Sequence, residues 1–433
     1  MPATIVSREH WTGLGFMLAA IGSAVGLGNI WRFPYMVGIS GGGAFLIPYI
    51  IGVLFFAIPL MILELDVGRK FQGSVLTSLK KINSKIWYVG IIPVIVSMTV
   101  LSYYLVITGW TLAYFFFSFS GYMQFLQFKT SILPLLFFFA SLAIVAFIVS
   151  KGIRKGIEKT SKIVMPMFFI LLVALALYSL SLPGAEEGLA FYLVPDFSQL
   201  LNLDTWIRGF SQAFFSVSVG YGILITYASY LGKKGSVAKP VIGIATADAL
   251  VALVGGLIVF PIVFTFGISP AMGADLTFVS LPLVFQSITL GFFVGFMFFA
   301  LLFIAALTSA VSMLEVGVST LVDEIKWSRK KSVIAMSLVT LLVGVPSALS
   351  YYGATISLFG IPFLDFMDLA LGTTLLLSAS LLCIAIIWFY EPKIFYIPIK
   401  HFYRIGLSKT MKFLLKYAIP IILLLMFILQ LAG

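Results

Sequence analysis

The chain has 433 residues, 61% of them hydrophobic and 10% charged, with a formal net charge of +11. Soluble domains are about 45–50% apolar and about 25% charged; a water-soluble enzyme and a disordered chain are therefore both excluded. One cysteine, Cys383, rules out an intrachain disulfide framework, and two histidines, His10 and His401, rule out a polyhistidine metal site.

A helix crosses the bilayer core with about 20 predominantly apolar residues. Charge-poor stretches of that size recur at residues 12–37, 42–65, 86–118, 131–150, 163–182, 206–231, 240–266, 288–322, 332–351, 364–390 and 413–431. The reading is an all-α polytopic membrane protein with eleven spans and one transmembrane domain over residues 1–433. The first stretch is too long and too glycine-rich for a cleaved signal peptide. With the N-terminus inside, 24 of the 27 basic residues fall in inside segments, and only Arg32, Lys129 and Arg208 lie elsewhere. The opposite loops carry Glu186, Glu187, Asp196, Asp204 and Asp275. The positive-inside rule then predicts a cytoplasmic N-terminus and an external C-terminus in the cell membrane. The basic surplus is a topology signal, and nucleic acid is not an expected partner; the lipid bilayer is.

Two stretches defy the membrane. The first reads GSAVGLGNIWRFP over residues 22–34 and the sixth QAFFSVSVGYG over 212–222. Non-helical backbone at membrane depth is tolerated only inside protein or along a cavity. Gly/Pro-interrupted segments at matching places in two halves point to a transporter binding site. The halves, residues 10–182 and 206–390, hold five spans each, an odd number that inverts one half relative to the other. The helix at 413–431 is an addition. Asp248 sits mid-membrane in the seventh stretch, where insertion scales charge about 2.5–3.5 kcal/mol for a carboxylate. Glu64 and Glu315 are also intramembrane, read as structural pairs or water-path groups.

REHW (8–11), AVGLGNIWRFP (24–34), GGGAFLIPY (41–49), GIEKTSKIVMP (156–166), ITYASY (225–230) and VDEI (322–325) together resemble the neurotransmitter:sodium symporter family. The resemblance covers essentially the whole chain, although many members have a twelfth span. It implies a LeuT-like fold of inverted five-span repeats with helices 1 and 6 broken. It also implies sodium-coupled symport of an amino acid by alternating access, and no enzymatic activity. A ligand-binding membrane sensor on the same scaffold, without net transport, is the alternative.

Residue by residue, the resemblance implies a first sodium site from Ala24, Asn29, Ser216 and Asp248, completed by the substrate carboxylate. A second would use Gly22, Val25, Ala305, Thr308 and Ser309. Such oxygens suit a hard cation. Asp248 stands where many members have Asn, and Ala252 where chloride-dependent relatives have Ser; this predicts two sodium ions and no chloride. Asp248 is then either a permanently charged ligand or a carboxyl that exchanges protons. Gly26 replaces the Asp of amine-transporting relatives, so the substrate brings its own carboxylate. That carboxylate would meet Leu27, Gly28 and Tyr104, and the ammonium would meet carbonyls at Ala24, Phe215 and Ser218. Val100, Tyr104, Phe215, Ser218, Tyr221, Ser309 and Met313 would line the side-chain pocket, predicting neutral, hydrophobic or aromatic amino acids. Arg32 and Asp368, with Gln212 beside them and Tyr104 over Phe215, resemble the outer gate. Arg8 and Asp323, with Trp11 and Tyr230, resemble the inner one. Gly156 and Pro166 match a motif linked to inward opening.

Overall fold

Helix forms along almost every apolar stretch because, without water, backbone N–H and C=O groups must pair within the segment. The computed structural model describes residues 9–233, 237–269, 275–353, 356–390 and 407–432. Span 1 comprises Gly13–Ala24 and Gly28–Ile39, bent by 46° at the break. Spans 2 to 5 are Gly43–Phe71, Trp87–Ser120, Leu133–Ser150 and Ile153–Leu180. Span 6 is split into Leu203–Ser216 and Ile223–Ala228. Spans 7 to 11 are Ala238–Thr265, Gly291–Ile325, Arg329–Ala348, Phe363–Ile387 and Thr410–Leu431. Among the described residues nine spans are each long and apolar enough to cross a bilayer unaided, span 1 qualifies as a bent pair, and the halves of span 6 are individually too short. The eleven expected stretches are thus all accounted for.

Both anticipated interruptions are present. In span 1 the helical geometry stops at Val25, whose ψ is 109°. In span 6 the backbone between the halves turns through positive φ at Ser218 (59°), Gly220 (82°) and Gly222 (75°). The Gly220 peptide is held at both ends: its N–H donates to Glu64 Oε1 at 2.8 Å, and its carbonyl accepts from Ser378 Oγ at 2.7 Å. Spans 3 and 8 are the longest helices and pack along one another. Span 1 packs against spans 5, 7 and 8.

Between the spans lie elements that hydropathy did not announce. The loop expected at 183–205 carries the helix Ala185–Leu193 and the turn Phe197–Leu201. A short apolar helix, Leu281–Ser287, follows the turn Leu276–Ser280 ahead of span 8. On the basic face, Val75–Ile82 is a helix whose N-cap Ser74 accepts from Thr77 N. The long loop expected after span 10 lies mostly outside the described residues.

Candidate functional site

The two breaks face each other, and polar side chains gather there. Asp248, fully buried in span 7, accepts from Ser216 Oγ at 2.7 Å and from Asn29 Nδ2 at 2.7 Å. Asn29 Nδ2 also reaches Ser216 Oγ at 3.0 Å, while Asn29 Oδ1 accepts the Gly26 N–H at 2.9 Å. The carboxamide oxygen read as an ion ligand is thus turned to the span 1 break, because the amide nitrogen satisfies Asp248. Among the described residues no cation forms an ion pair with Asp248. A buried carboxylate without a countercharge is costly, and this set of a carboxylate, a hydroxyl and nearby freed carbonyls fits a hard monovalent cation.

A second cluster lies between spans 1 and 8. Ser309 Oγ is 3.2 Å from Ala305 O and 3.5 Å from Val25 O. Thr308 Oγ1 is 3.1 Å from Ala305 O, and its side chain packs on Gly22. All five residues read as the second ion set therefore converge.

The substrate residues divide into two levels. A cavity of about 600 Å³ takes in Leu27, Gly28, Tyr104, Phe215, Arg32 and Asp368. Val100, Ser218, Tyr221, Ser309 and Met313 are buried and do not line it. Tyr104 OH accepts from Leu27 N at 3.4 Å. At Gly26 a Cβ would stand 2.8 Å from Ser309 Oγ and 3.1 Å from Tyr104 OH, so a side chain there would displace these hydroxyls of spans 8 and 3. The Ser218 hydroxyl donates to Ser23 O at 2.8 Å and so joins the two breaks.

The outer gate residues are near one another but differently engaged. Arg32 donates to Gln212 Oε1 at 2.7 Å, and Gln212 Nε2 donates to Gly28 O at 2.8 Å. Asp368 lies in the field of Arg32, with Tyr103 beside it, yet among the described residues no ion pair joins Arg32 to Asp368. Tyr104 and Phe215 make no ring contact either; the guanidinium covers Phe215 instead. The same cavity extends to Lys129, Asp275 and Tyr351.

At the opposite end, the residues read as the inner gate are joined by hydrogen bonds. Trp11 N donates to Tyr230 O at 3.0 Å and Trp11 Nε1 to Tyr227 O at 2.8 Å. Tyr230 OH donates to Glu315 Oε1 at 2.7 Å, and Glu315 is doubly bonded to Arg329, so Glu315 is indeed one of a structural pair. Asp323 accepts from Ser74 N at 2.6 Å. Arg8 lies outside the described residues. Gly156 falls in the wide first turn Ile153–Glu158 of span 5, and Pro166 ten residues later is inside the same continuous helix.

Sequence reasoning missed Tyr49, whose buried hydroxyl lies beside Asp248 and Ser216. One tyrosine in an apolar span carries no signal of its own. It likewise missed the upper wall of the cavity, Tyr103, Trp110 and Tyr351 among it, which only folding brings to one place.

The sequence model described as "Sodium:neurotransmitter symporter family" matches residues 8–133 and 133–433. An uncharacterized sodium-dependent transporter of Methanocaldococcus jannaschii is 36% identical over 453 residues, covering 96% of this chain and 89% of its own. Another, of Bacillus subtilis strain 168, is 37% identical over 385 residues, covering 85% of each chain. The crystal structure of MhsT in complex with L-phenylalanine superposes with a TM-score of 0.87 at 38% identity, covering 97% of this chain and 99% of that one.

Proposed function

Since the chain belongs to the sodium:neurotransmitter symporter family, and so is a sodium-dependent membrane transporter and not an enzyme, we propose that it takes up neutral, hydrophobic or aromatic amino acids. Gly26 carries the reading. Glycine there brings no countercharge, so the substrate ammonium meets carbonyls, and the substrate carboxylate supplies the negative charge near sodium. The L-phenylalanine in complex with MhsT is an amino acid of the same class.

Two sodium ions bind in this proposal, one at Ala24, Asn29, Ser216 and Asp248, the other at Gly22, Val25, Ala305, Thr308 and Ser309. Asp248 provides a fixed negative charge, so chloride is not required. The outer gate is Arg32, Asp368, Gln212, Tyr104 and Phe215; the inner gate is Trp11, Tyr230, Asp323 and Arg8. Gly156 and Pro166 frame the part of span 5 that yields on inward opening. The basic face is cytoplasmic, in the cell membrane. A tenfold sodium gradient contributes about 1.4 kcal/mol per ion, and 100 mV about 2.3 kcal/mol per charge. Two ions then drive accumulation with roughly 7 kcal/mol, or about five decades.

The test is counterflow of radiolabelled leucine or phenylalanine in proteoliposomes. Sodium-dependent exchange is expected; saturable binding without exchange would identify a sensor on this scaffold instead.

A further inference from the structure

The inner ends of spans 1 and 5 exchange carboxylates. Glu158, on the first turn of span 5, is buried (3% exposed). Its Oε1 accepts from Thr12 Oγ1 at 2.5 Å and its Oε2 from Thr12 N at 3.2 Å. Thr12 is itself the N-cap of span 1, accepting from Gly15 N at 3.1 Å. In the other direction Glu9, ahead of span 1, accepts at Oε2 from Ile153 N at 2.7 Å and Arg154 N at 3.1 Å. Those are freed amides at the start of span 5, which a carboxylate satisfies well. The fit is close: a Cβ on Gly15 would stand 2.2 Å from the Glu158 carboxyl carbon. Lys162, 2.5 Å from Glu158 Oε1, balances its charge.

We propose that Glu9 and Glu158 are positioning residues forming one reciprocal latch, which holds the inner half of span 1 closed and releases it when the first turn of span 5 loosens. The proposal rests on the alternating-access reading above and adds to it. The inner half of span 1 carries Gly22, Ala24 and Val25, so its displacement opens a path from the basic face to both ion clusters. Glu9 caps the start of span 5, Glu158 holds the residue that caps span 1, and displacing either end strains both sets of bonds. Two independent caps would not have that property.

Amide hydrogen exchange by mass spectrometry on the full-length protein tests this with Glu158→Gln, Glu9→Gln and the double variant. Without sodium, each single variant is expected to speed exchange about tenfold or more, the loss of one charge-assisted bond, at both Gly13–Met17 and Ile153–Ile157. Saturating sodium with leucine should suppress the increase, and the double variant should add little. Acceleration confined to the segment that lost its own acceptor, additive effects, or insensitivity to sodium would overturn the latch. Glu9 is exposed, so Glu9→Gln has no fold to disrupt if Glu158→Gln proves unstable. Sodium-dependent leucine binding on the same samples separates the two claims. A wild type that binds no amino acid with sodium defeats the functional reading, whereas binding with unchanged exchange in the variants defeats only the latch.

Discussion

The guanidinium of Arg32 lies 4.5 Å from the ring centroid of Phe215 while donating to Gln212 at 2.7 Å. One side chain of span 1 thereby grips two positions on the outer half of span 6. A planar, forked cation is suited to stacking and bonding at once, and lysine is not. Arg32→Lys is expected to lower uptake about tenfold or more while leaving sodium binding without substrate intact. Wild-type uptake by this variant would show that charge alone suffices.

Thr308→Ala and Ser309→Ala each remove a hydroxyl from the cluster that includes Ala305 O and Val25 O. A lost ligand-like hydrogen bond is worth about 1 kcal/mol, so the sodium concentration for half-maximal leucine binding should rise about fivefold. Thermal unfolding without sodium should change little. An unchanged sodium requirement in both variants would remove these residues from the ion site.

For Asp248 the prediction concerns anions. Leucine uptake should be the same in chloride and in gluconate medium, since the buried carboxylate already supplies the charge. Asp248→Asn removes it and should raise the sodium requirement about tenfold or more. Wild-type uptake that collapses in gluconate would refute the assignment.

Selectivity follows from the cramped ground around Gly26. Leucine, isoleucine, valine, methionine and phenylalanine should compete with one another, and glutamate, lysine and glycine only weakly, because an unpaired buried ion costs several kcal/mol and glycine forgoes about 0.8 kcal/mol per missing methylene. Gly26→Asp should abolish amino-acid binding, because its carboxylate would displace the Ser309 hydroxyl 2.8 Å from the added Cβ and oppose the substrate's own carboxylate. Leucine losing to glutamate, lysine or glycine, or to its own decarboxylated amine, would contradict the pocket.

The basic asymmetry predicts a cytoplasmic N-terminus and an external C-terminus. A C-terminal alkaline phosphatase fusion should be active, and a C-terminal green fluorescent protein dark. The reverse pattern would require a different span count.

The spans were legible because lipid leaves the backbone one economical option, and the breaks because Gly22, Gly26, Gly28, Gly220 and Gly222 crowd where apolar helix formers belong. The residues read as ion ligands could be named from motif context, and the structure brings Asn29, Ser216 and Asp248 together in one place and Val25, Ala305, Thr308 and Ser309 in another. What stayed hidden depends on direction rather than on residue type. Nothing in SVSVGYG tells that Ser218 turns to Ser23 O, nor that Asn29 presents its nitrogen to Asp248. The helix Ala185–Leu193 escaped notice because its faces are only partly buried, leaving no apolar run to read. Glu158 and Glu9 carry no signal of their own in the sequence, since the groups that hold them across spans 1 and 5 lie about 145 residues away.

Gly220 gives the last consequence. Its peptide is pinned on one side to Glu64 of span 2 and on the other to Ser378 of span 10, at the very point where span 6 has no helix to stiffen it. Sliding the binding site through the bilayer as a carriage would tear both pins. The flanking half-helices, by contrast, can swing about that point without breaking either. In the transport cycle proposed above, the cargo then keeps one depth in the membrane, and it is the walls around it that travel.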